Sequence, residues 1–438
     1  MKTRQEKDAL GTVEVPTESY GGSFYVRAKK NFQISNVQAT PSFGTAFGLV
    51  KIAAAKVNGE LGLLEKKKSV VIQKAGEEFL ERKFPEFYEL DMYQAGAGTP
   101  LNMTLNEVLA NRANELLGGK KGEYKWVHPN DHVNLGQSSN DVTPTALRLA
   151  VLMDLENLWK IEKQLGESFL KKSREFSKVL KTGRTHLQDA VPVTLGQEFG
   201  AYASALNNAR NRILVAKAEL KQLGIGGTAI GSGINCHPQF AKKMVKELGK
   251  LSGLNGLKVA ENKFETTHSM AAFLTTSSVL RSLAVELIRI CNDLRLMASG
   301  PAAGFNEIAL PEVEPGSSIM PGKVNPSVLE SMLMICTQVI ALDTGICLAA
   351  QKGELELNWY TPLIAIDLLH QIEILTSGME MLRKDCIEGL KAHEKEMRAV
   401  LESSCAMATA LAPKLGYRKV AEMVNQAKKA GKPFSTLL

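Results

Sequence analysis

Residues 141–169, DVTPTALRLAVLMDLENLWKIEKQLGESF, decide the fold class of this chain. Apolar residues recur along the segment at spacings of four and three, namely Leu147, Val151, Leu155, Leu158, Ile161, Leu165 and Phe169. This spacing is the period of one face of a helix. Pro144 lies near the start of the segment, where proline is tolerated because its missing N–H would be unpaired anyway. The segment therefore predicts a helix far longer than the ~11–12 residues usual in globular proteins.

The same pattern extends over much of the chain. A second helix is predicted from the positions Leu195, Phe199, Tyr202, Leu206, Ile213, Ala216 and Leu220. Three more helices are predicted over residues 267–298, 327–351 and 361–390. Five helices of this length suit a long antiparallel bundle. Because several of their faces are apolar beyond one stripe, we expect the bundle to complete its core with neighbouring subunits.

The flanking regions differ from this helical centre, and they suggest a mainly α chain of three domains. Residues 1–137 form a mixed, mainly helical N-terminal domain, residues 138–390 the central long-helix bundle, and residues 391–438 a small C-terminal helical domain. Within the first domain, short extended pieces are predicted at Thr12–Val15 and Phe24–Val26, and helices at about residues 43–59, 66–83 and 104–117.

Composition narrows the class of protein. The 438 residues are 44% hydrophobic and 23% charged, which excludes a disordered or collagen-like chain. The net charge of +7 comes without a block of Lys and Arg interleaved with aromatic residues, so no nucleic-acid partner is indicated. Residues 1–11 have no apolar core and predict no signal peptide. The segment Ser331–Gln351 is the best membrane candidate, but we interpret it as the core helix of a bundle.

The cysteine usage indicates a reducing compartment. The six cysteines are scattered, with no CxxC pair and no Cys/His spacing suited to zinc: Cys236, Cys291, Cys336, Cys347, Cys386 and Cys405. Buried thiols in a reducing cytosol explain this usage. We therefore expect a cytoplasmic protein without a metal.

Two glycine-rich stretches interrupt the helices. Gly224–Asn235, GIGGTAIGSGIN, does not have the spacing of a dinucleotide loop, and no strand is predicted before it. Gly300–Pro326 is a loop of a length that usually marks a functional lid. Within it, two hydroxyls, a cation and an amide could bind a carboxylate and stabilise negative charge on it: Ser317, Ser318, Lys323 and Asn325. Taken by itself, this segment is explained equally well as a turn whose polar side chains have no binding role.

Two more polar clusters stand beside predicted helices. Thr185 and His186, in KTGRTHLQDA just before a helix, place an imidazole beside a hydroxyl. A single histidine is more often structural than catalytic. Residues 137–141, QSSND, lie at a helix start, where Ser, Asn and Asp also serve as N-caps.

Together, three segments resemble the signature regions of the fumarase/aspartase superfamily. They are GQSSNDVTPT at 136–145, TGRTHLQDAVPVTLGQEF at 182–199 and GSSIMPGKVNP at 316–326. The resemblance runs from about residue 11 to about residue 420. It implies a mixed N-terminal domain, a long helical centre and a small C-terminal domain. It also implies a homotetramer whose active sites are each built from three subunits.

The resemblance implies a role for each polar cluster in adding or removing a small molecule across a carbon–carbon double bond beside a carboxylate. Ser317 would be the base that takes a proton from carbon. Lys323 and Asn325 would hold the carboxylate that becomes a dianion, and Ser318 would assist. His186 would pair with Glu330 to deliver a proton through a water. The rest of the dicarboxylate would be bound by Thr99, Ser138, Ser139, Asn140 and Thr185.

The resemblance also implies a possible second anion site at His128, Asn130 and Asp131, for which a plain turn is the alternative. It implies neither a metal nor a cofactor. The partners it implies are a small dicarboxylate substrate and further copies of the chain.

The sequence contains residues typical of fumarases and residues typical of aspartases. Fumarase-like features are Ser139, Gly227, His128, the pair His237-Pro238 and the segment Asn262–Glu265. Aspartase-like features are Ala97, Lys121–Tyr124 and Val26–Asn36, while Trp359–Pro362 is typical of neither. Because most fumarase markers lie near substrate groups, we favour fumarate hydratase, an enzyme of the tricarboxylic acid cycle. Aspartate ammonia-lyase is the alternative, and a non-catalytic structural member is a third.

Overall fold

The computed structural model describes residues 2–437 and is mainly helical. Its α-helices are α1 (Ser23–Asn31), α2 (Pro41–Glu60), α3 (Lys66–Leu80), α4 (Thr99–Leu116), α5 (Ser139–Glu175), α6 (Leu195–Leu220), α7 (Phe240–Ser252), α8 (Lys263–His268), α9 (Ala271–Met297), α10 (Ser327–Ala350), α11 (Thr361–Leu382), α12 (Glu394–Ser403), α13 (Ala406–Leu415) and α14 (Tyr417–Ala430). Single turns of 3-10 or π type add Glu86–Glu89, Gly96–Gly98, Pro129–Val133, Arg383–Ile387 and Phe434–Leu437.

The strands are short and pair two by two. They are β1 (Thr3–Asp8), β2 (Gly11–Pro16), β3 (Leu180–Thr185), β4 (Gln188–Thr194), β5 (Gln222–Leu223), β6 (Lys258–Val259), β7 (Ile308–Ala309) and β8 (Lys391–Ala392). Three of the pairs, β1 with β2, β3 with β4 and β7 with β8, are antiparallel. The pair of β5 with β6 is parallel.

The prediction of a mainly α chain with long helices is confirmed. The five longest helices, α5, α6, α9, α10 and α11, have 37, 26, 27, 24 and 22 residues. Two of their predicted bounds were wrong. The helix predicted from residue 267 is divided, because Ser269 is extended and ends α8 before α9 begins. The helix predicted to residue 390 ends at Leu382, and a π turn follows it.

The chain divides into two compact units. The first contains the chain up to Asn157 with Ile213–Leu280 and Ile340–Glu373. The second contains Leu158–Arg212, Arg281–Val339 and the chain from Ile374 onwards. The predicted domain boundaries at residues 137 and 390 stay a prediction.

The core of the first unit forms around α2, which is buried along most of its length. Aromatic rings of Phe43, Phe47, Phe79 and Phe87 pack edge to face or tilted, with centroids 5.0–5.4 Å apart. Such pairs stabilise a core beyond the area that they bury. Helix α3, which contains Phe79, packs against α4, whose first residue is the predicted site residue Thr99.

The extended piece predicted at Phe24–Val26 was wrong, because these residues belong to α1. The carboxylate of Glu107 on α4 accepts N–H bonds from Gly22 at 2.8 Å, Phe24 at 2.8 Å and Tyr25 at 3.0 Å. These are N–H groups that a helix start leaves without an intrahelical partner. Burial raises the pKa of Glu107 to about 7. The helix is therefore capped by a residue more than 80 positions away, which the local sequence does not reveal.

Among residues 2–437, two helices, α9 and α10, are long and apolar enough to cross a membrane by length and composition alone. Within the first unit they are joined by a buried hydrogen bond, in which the Ser277 hydroxyl donates to Asp343 Oδ1 at 2.7 Å. The most apolar window of α10 is only 33% buried in one chain. Much of the apolar surface of α10 is therefore exposed in a single chain.

Candidate active site

The first predicted segment forms a group of hydroxyls at the start of α5. Thr99 Oγ1 lies 2.9 Å from Ser139 Oγ, and both side chains are half-buried. The Asn140 side-chain amide donates to the carbonyl of Ala229 at 2.8 Å. Its backbone N–H donates to the Ser138 hydroxyl at 3.2 Å. The structure thus brings together Thr99, Ser138, Ser139 and Asn140, and their role in binding a dicarboxylate stays a prediction.

Asp141 fixes this group, although it was not among the predicted site residues. Its Oδ1 accepts the Ser138 N–H at 2.9 Å, and its Oδ2 accepts the N–H groups of Gly226 at 3.0 Å and Thr228 at 2.9 Å. Burial raises the pKa of Asp141 to about 6 against the effect of these bonds and of Lys51. The glycine-rich stretch therefore binds a buried carboxylate. Ser138 is the N-cap of α5, as the sequence allowed, and Asp141 binds back to the Ser138 N–H as in a capping box.

Thr185 and His186 lie at the tip of a β-hairpin, whereas the sequence suggested only a segment before a helix. Thr185 pairs with Gln188 across the two strands. His186 and Leu187 between them have φ angles of 55° and 59°, as a tight two-residue hairpin turn of type I′ requires. Both Thr185 and His186 are exposed in a single chain. The turn thus presents the imidazole at the outermost point of the hairpin.

A buried ion cluster holds the base of this hairpin. Lys181 Nζ lies 2.8 Å from Glu198 Oε2 and 2.6 Å from Glu307 Oε2. Arg184 donates to Glu307 Oε1 at 2.7 Å, and its guanidinium lies over the ring of Phe305. Glu307 belongs to the same long loop as Ser317. The hairpin and the beginning of that loop are therefore tied together within one chain.

The loop itself places two backbone N–H groups on Ser317. Its Oγ accepts hydrogen bonds from Ile319 at 3.3 Å and from Met320 at 2.9 Å. The Asn325 amide donates to the carbonyl of Gly316, which closes the loop. A concavity of about 500 Å³ lies inside, lined in part by Ser317 and Lys323. Ser318 and Lys323 are exposed.

Glu330 lies one turn into α10, 3.8 Å from Arg295, and its side chain is 45% exposed. Among the described residues, no hydrogen bond or ion pair joins it to His186, its predicted partner. None joins His186 to Ser317 either. In one chain the hairpin tip, the Ser317 loop and Glu330 are therefore three separate features of the second unit.

The predicted second anion site is a π turn. His128 Nδ1 accepts N–H bonds from Asn130 and Asp131, each at 3.3 Å, and lies 3.4 Å from Asp131 Oδ2. The side chain of Asp131 is largely exposed. The contacts account for this segment as a turn, and its use as an anion site stays a prediction.

The comparisons with known proteins agree on the family. A model of the lyase family matches residues 11–341. Fumarate hydratase class II 2 of Bradyrhizobium diazoefficiens is 43% identical over 426 residues, covering 97% of this chain and 90% of that protein. The chain belongs to the fumarase/aspartase superfamily.

Relatives of both reaction types resemble this superfamily member equally. Aspartate ammonia-lyase of Helicobacter pylori is 44% identical over 429 residues, covering 98% of this chain and 92% of that protein. The crystal structure of a class II fumarase from Schistosoma mansoni matches with a TM-score of 0.95 and 36% identity, covering 99% and 94% of the two chains. Overall identity therefore establishes a lyase and leaves open whether its reaction releases water or ammonia.

Two unusual features of this superfamily member are in contact. Ala97 is buried in a left-handed turn, with φ of 58°, immediately before Gly98 and Thr99. Its N–H donates to the carbonyl of Trp359 at 2.8 Å, and the Trp359 ring stacks on Tyr360. The residue that lacks the expected hydroxyl and the segment typical of neither subfamily thus form one local structure. The sequence showed each departure but not their contact.

Proposed function

We propose that this lyase is a fumarate hydratase, which interconverts fumarate and L-malate by reversible anti addition and elimination of water. In the elimination direction, a base removes a proton from the carbon beside a carboxylate. The electron pair left on carbon spreads into that carboxylate as a dianion, and the bond to the hydroxyl then breaks. The site must therefore supply a strong base, positive potential around the carboxylate and a proton for the leaving hydroxide.

Ser317 suits the role of the base. A serine hydroxyl becomes a strong base only as an alkoxide, whose negative charge needs fixed donors. The N–H groups of Ile319 and Met320 already point at Ser317 Oγ, so no reorganisation is needed when the charge forms. Hydrogen bonds to an ionised oxygen are roughly twice as strong as neutral ones.

The other roles follow from charge and position. Lys323 is a cation on the rim of the same concavity, and with Asn325 it would hold the carboxylate that becomes the dianion. Ser318 would assist it. Thr99, Ser138, Ser139, Asn140 and Thr185 would bind the rest of the dicarboxylate. His186 and Glu330 would deliver a proton through a water, because a carboxylate on one imidazole nitrogen fixes the tautomer and raises the basicity of the ring.

Ser139 is the main observation that favours hydration over deamination as the reaction. It is serine where aspartases usually have threonine, and its hydroxyl lies 2.9 Å from Thr99 Oγ1. Threonine has the same hydroxyl, so the choice follows from the serine as a subfamily marker and from its place beside Thr99, not from its hydrogen-bonding capacity. The Gly227 marker supports the choice less, since a Cβ there would lie 3.0 Å from the Gly224 carbonyl, and packing alone favours glycine. Asn262 likewise has a structural role as the N-cap of α8.

Aspartate ammonia-lyase remains the second candidate because of Ala97. A methyl group there offers no hydrogen bond beside Thr99, where fumarases generally have a serine hydroxyl. The Trp359 carbonyl holds the backbone of Ala97 in its turn. The departure is therefore built into the local structure.

We further propose that the active site forms in a cytoplasmic homotetramer, with segments from three copies and without a metal or cofactor. The Ser138–Asn140 group belongs to the first compact unit, and the hairpin tip and the Ser317 loop belong to the second. On α10, Met334 is 68% and Leu348 55% exposed, although both are large apolar residues. Contact with other copies would cover them and would bring the three segments together.

A substrate assay tests the proposed function. Fumarate formation is followed by its ultraviolet absorbance with L-malate, L-aspartate or argininosuccinate supplied separately, and Ser317→Ala is the control for contaminating enzymes. We expect turnover with malate that the control lacks. Ammonia release from aspartate without malate turnover would establish the second candidate instead. Wild-type protein inactive on all three substrates, although folded and tetrameric, would favour a non-catalytic member.

A further inference from the structure

A buried lysine lies directly beneath the substrate-binding segment. Lys51, on α2, is 0% exposed, and no ion pair described within residues 2–437 includes it. Its Nζ donates to Asn134 Oδ1 at 3.1 Å and to Gln137 Oε1 at 3.0 Å. Burying an ammonium group without a carboxylate in contact is costly, and these two bonds, with the longer-range attraction of Asp141, offset part of the lost hydration.

Asn134 is the centre of a network of amides. Its Oδ1 accepts bonds from Asn102 at 3.2 Å and Asn106 at 3.1 Å in addition to that from Lys51. Its Nδ2 donates to the backbone carbonyl of Gln137 at 3.2 Å. Three donors from α2 and α4 thus converge on one oxygen of the turn that precedes α5.

Gln137 connects this network to the site. Its Nε2 donates to the carbonyl of Val133 at 2.9 Å, which closes the turn, and its backbone leads directly into Ser138. On the other side of Ser138, Asp141 is bound to the glycine-rich stretch. The segment Ser138–Asn140 therefore has a buried hydrogen-bond network on each side. One network is centred on Lys51 and the other on Asp141.

We propose that Lys51 is a positioning residue that sets the place of Ser138–Asn140, and so the affinity of the site for its dicarboxylate. The proposal rests on the substrate-binding role of that segment, and it holds whichever small molecule is added to fumarate. Two N–H groups are enough for the bonds to Asn134 and Gln137, and a neutral amine has them as well as an ammonium group. The network therefore keeps its geometry in both protonation states.

A purely stabilising role does not explain a lysine here. Replacing Lys51 by an apolar residue of similar volume removes the cost of a buried charge but leaves Asn134 and Gln137 with one donor fewer, so the two effects on stability oppose each other. Burial lowers the pKa of Lys51 to about 7, which reflects the unfavourable environment of its charge. What an apolar residue lacks is directional bonds to Asn134 and Gln137. Their loss would let Ser138 shift, and a displacement of about 1 Å can cost 10²-fold in activity.

Lys51→Met keeps the length of the side chain and removes both bonds. The matched control is Lys56→Met on the same helix, which removes the pair of Lys56 with Glu247 at 2.6 Å and leaves the amide network intact. For each protein we measure the Kd for succinate by calorimetry, the KM for fumarate and the kcat with water or with ammonia, and the Tm. We expect Kd and KM to rise about 10-fold or more in Lys51→Met, with kcat and Tm changed less, and to stay at wild-type values in the control.

Gln137→Met is the second variant and keeps the proposal testable if Lys51→Met does not fold. It removes the acceptor nearest to Ser138, so the same increase in Kd and KM is expected. Wild-type Kd and KM in the folded variants, with only Tm lowered, would overturn the positioning role. Should wild-type protein turn over neither malate nor aspartate, the proposed function fails, while the succinate Kd still decides the role of Lys51. Wild-type protein that does not bind succinate would overturn both.

Discussion

Replacing Glu307 by glutamine removes one of two carboxylates from the buried cluster at the base of the hairpin that carries His186. Glu307 and Lys181 have side chains only 3% and 2% exposed, and Arg184 also donates to Glu307. Glutamine keeps the shape of the side chain and its hydrogen-bonding capacity. It leaves two cations facing a single carboxylate, that of Glu198.

The cost follows from the burial of the pair. Removing one partner of a buried ion pair costs ~3–5 kcal/mol because the other charge stays buried. Lys181 keeps its contact with Glu198 at 2.8 Å, so we expect the lower end of this range. A loss of about 3 kcal/mol lowers the ratio of folded to unfolded chains roughly 10²-fold. Because the cluster holds the strand that leads to His186, kcat should fall as well.

The assay is urea unfolding at one fixed protein concentration, since the stability of an oligomer depends on concentration. Glu422→Gln is the matched control. It makes the same change in the exposed pair with Arg418, where such pairs contribute ~0–1 kcal/mol. A loss in Glu307→Gln no larger than in the control would refute a buried, interdependent cluster.

Three further perturbations test individual residues. Ser317→Ala should remove nearly all turnover and leave the circular dichroism spectrum unchanged; a rate near that of wild type would exclude Ser317 as the base. His186→Asn should lower kcat for malate by ~10²–10⁴-fold with KM changed less, because general acid catalysis is worth about that much; a small effect would favour ammonia, which departs more readily. Burial lowers the pKa of Lys51 from 10.5 to about 7, so between these pH values the unfolded chain binds a proton that the folded chain does not. The free energy of unfolding of wild type relative to Lys51→Met should therefore rise with pH in that window, and a flat difference would contradict the lowered pKa.

The sequence predicted the parts of this fold that depend on local patterns. The helical period of α5 and α6 extends over many turns, so their type and length could be read directly. The polar segment at Ser138–Asn140 was also found, because several short polar side chains there precede a long apolar run. The residue types alone left catalysis and N-capping as alternatives, and the bond from the Asn140 N–H to the Ser138 hydroxyl shows that capping is one role of this segment.

What the sequence missed depends on contacts between distant residues. The first N–H groups of α1 are bound by Glu107. This residue is more than 80 positions away, so the sequence around α1 does not predict the cap. The strands of the His186 hairpin are short and largely polar, so their periodicity is weak. Lys51 looks like one cation among many until its complete burial and its contact with Asn134 are known. A lysine or carboxylate inside an apolar helical pattern is the signal that could have pointed to it.

Mixing two inactive variants tests the central claim that the active site is assembled from different copies. His186→Asn and Ser317→Ala are co-expressed with separable tags, and the hybrid tetramers that carry both tags are isolated and assayed. If the two residues of one site come from different chains, some sites in the hybrid have both wild-type residues. With random assembly this fraction is roughly one quarter, and activity should return to about that share of the wild-type value. Hybrid tetramers with no more activity than the two variants alone would contradict the shared site.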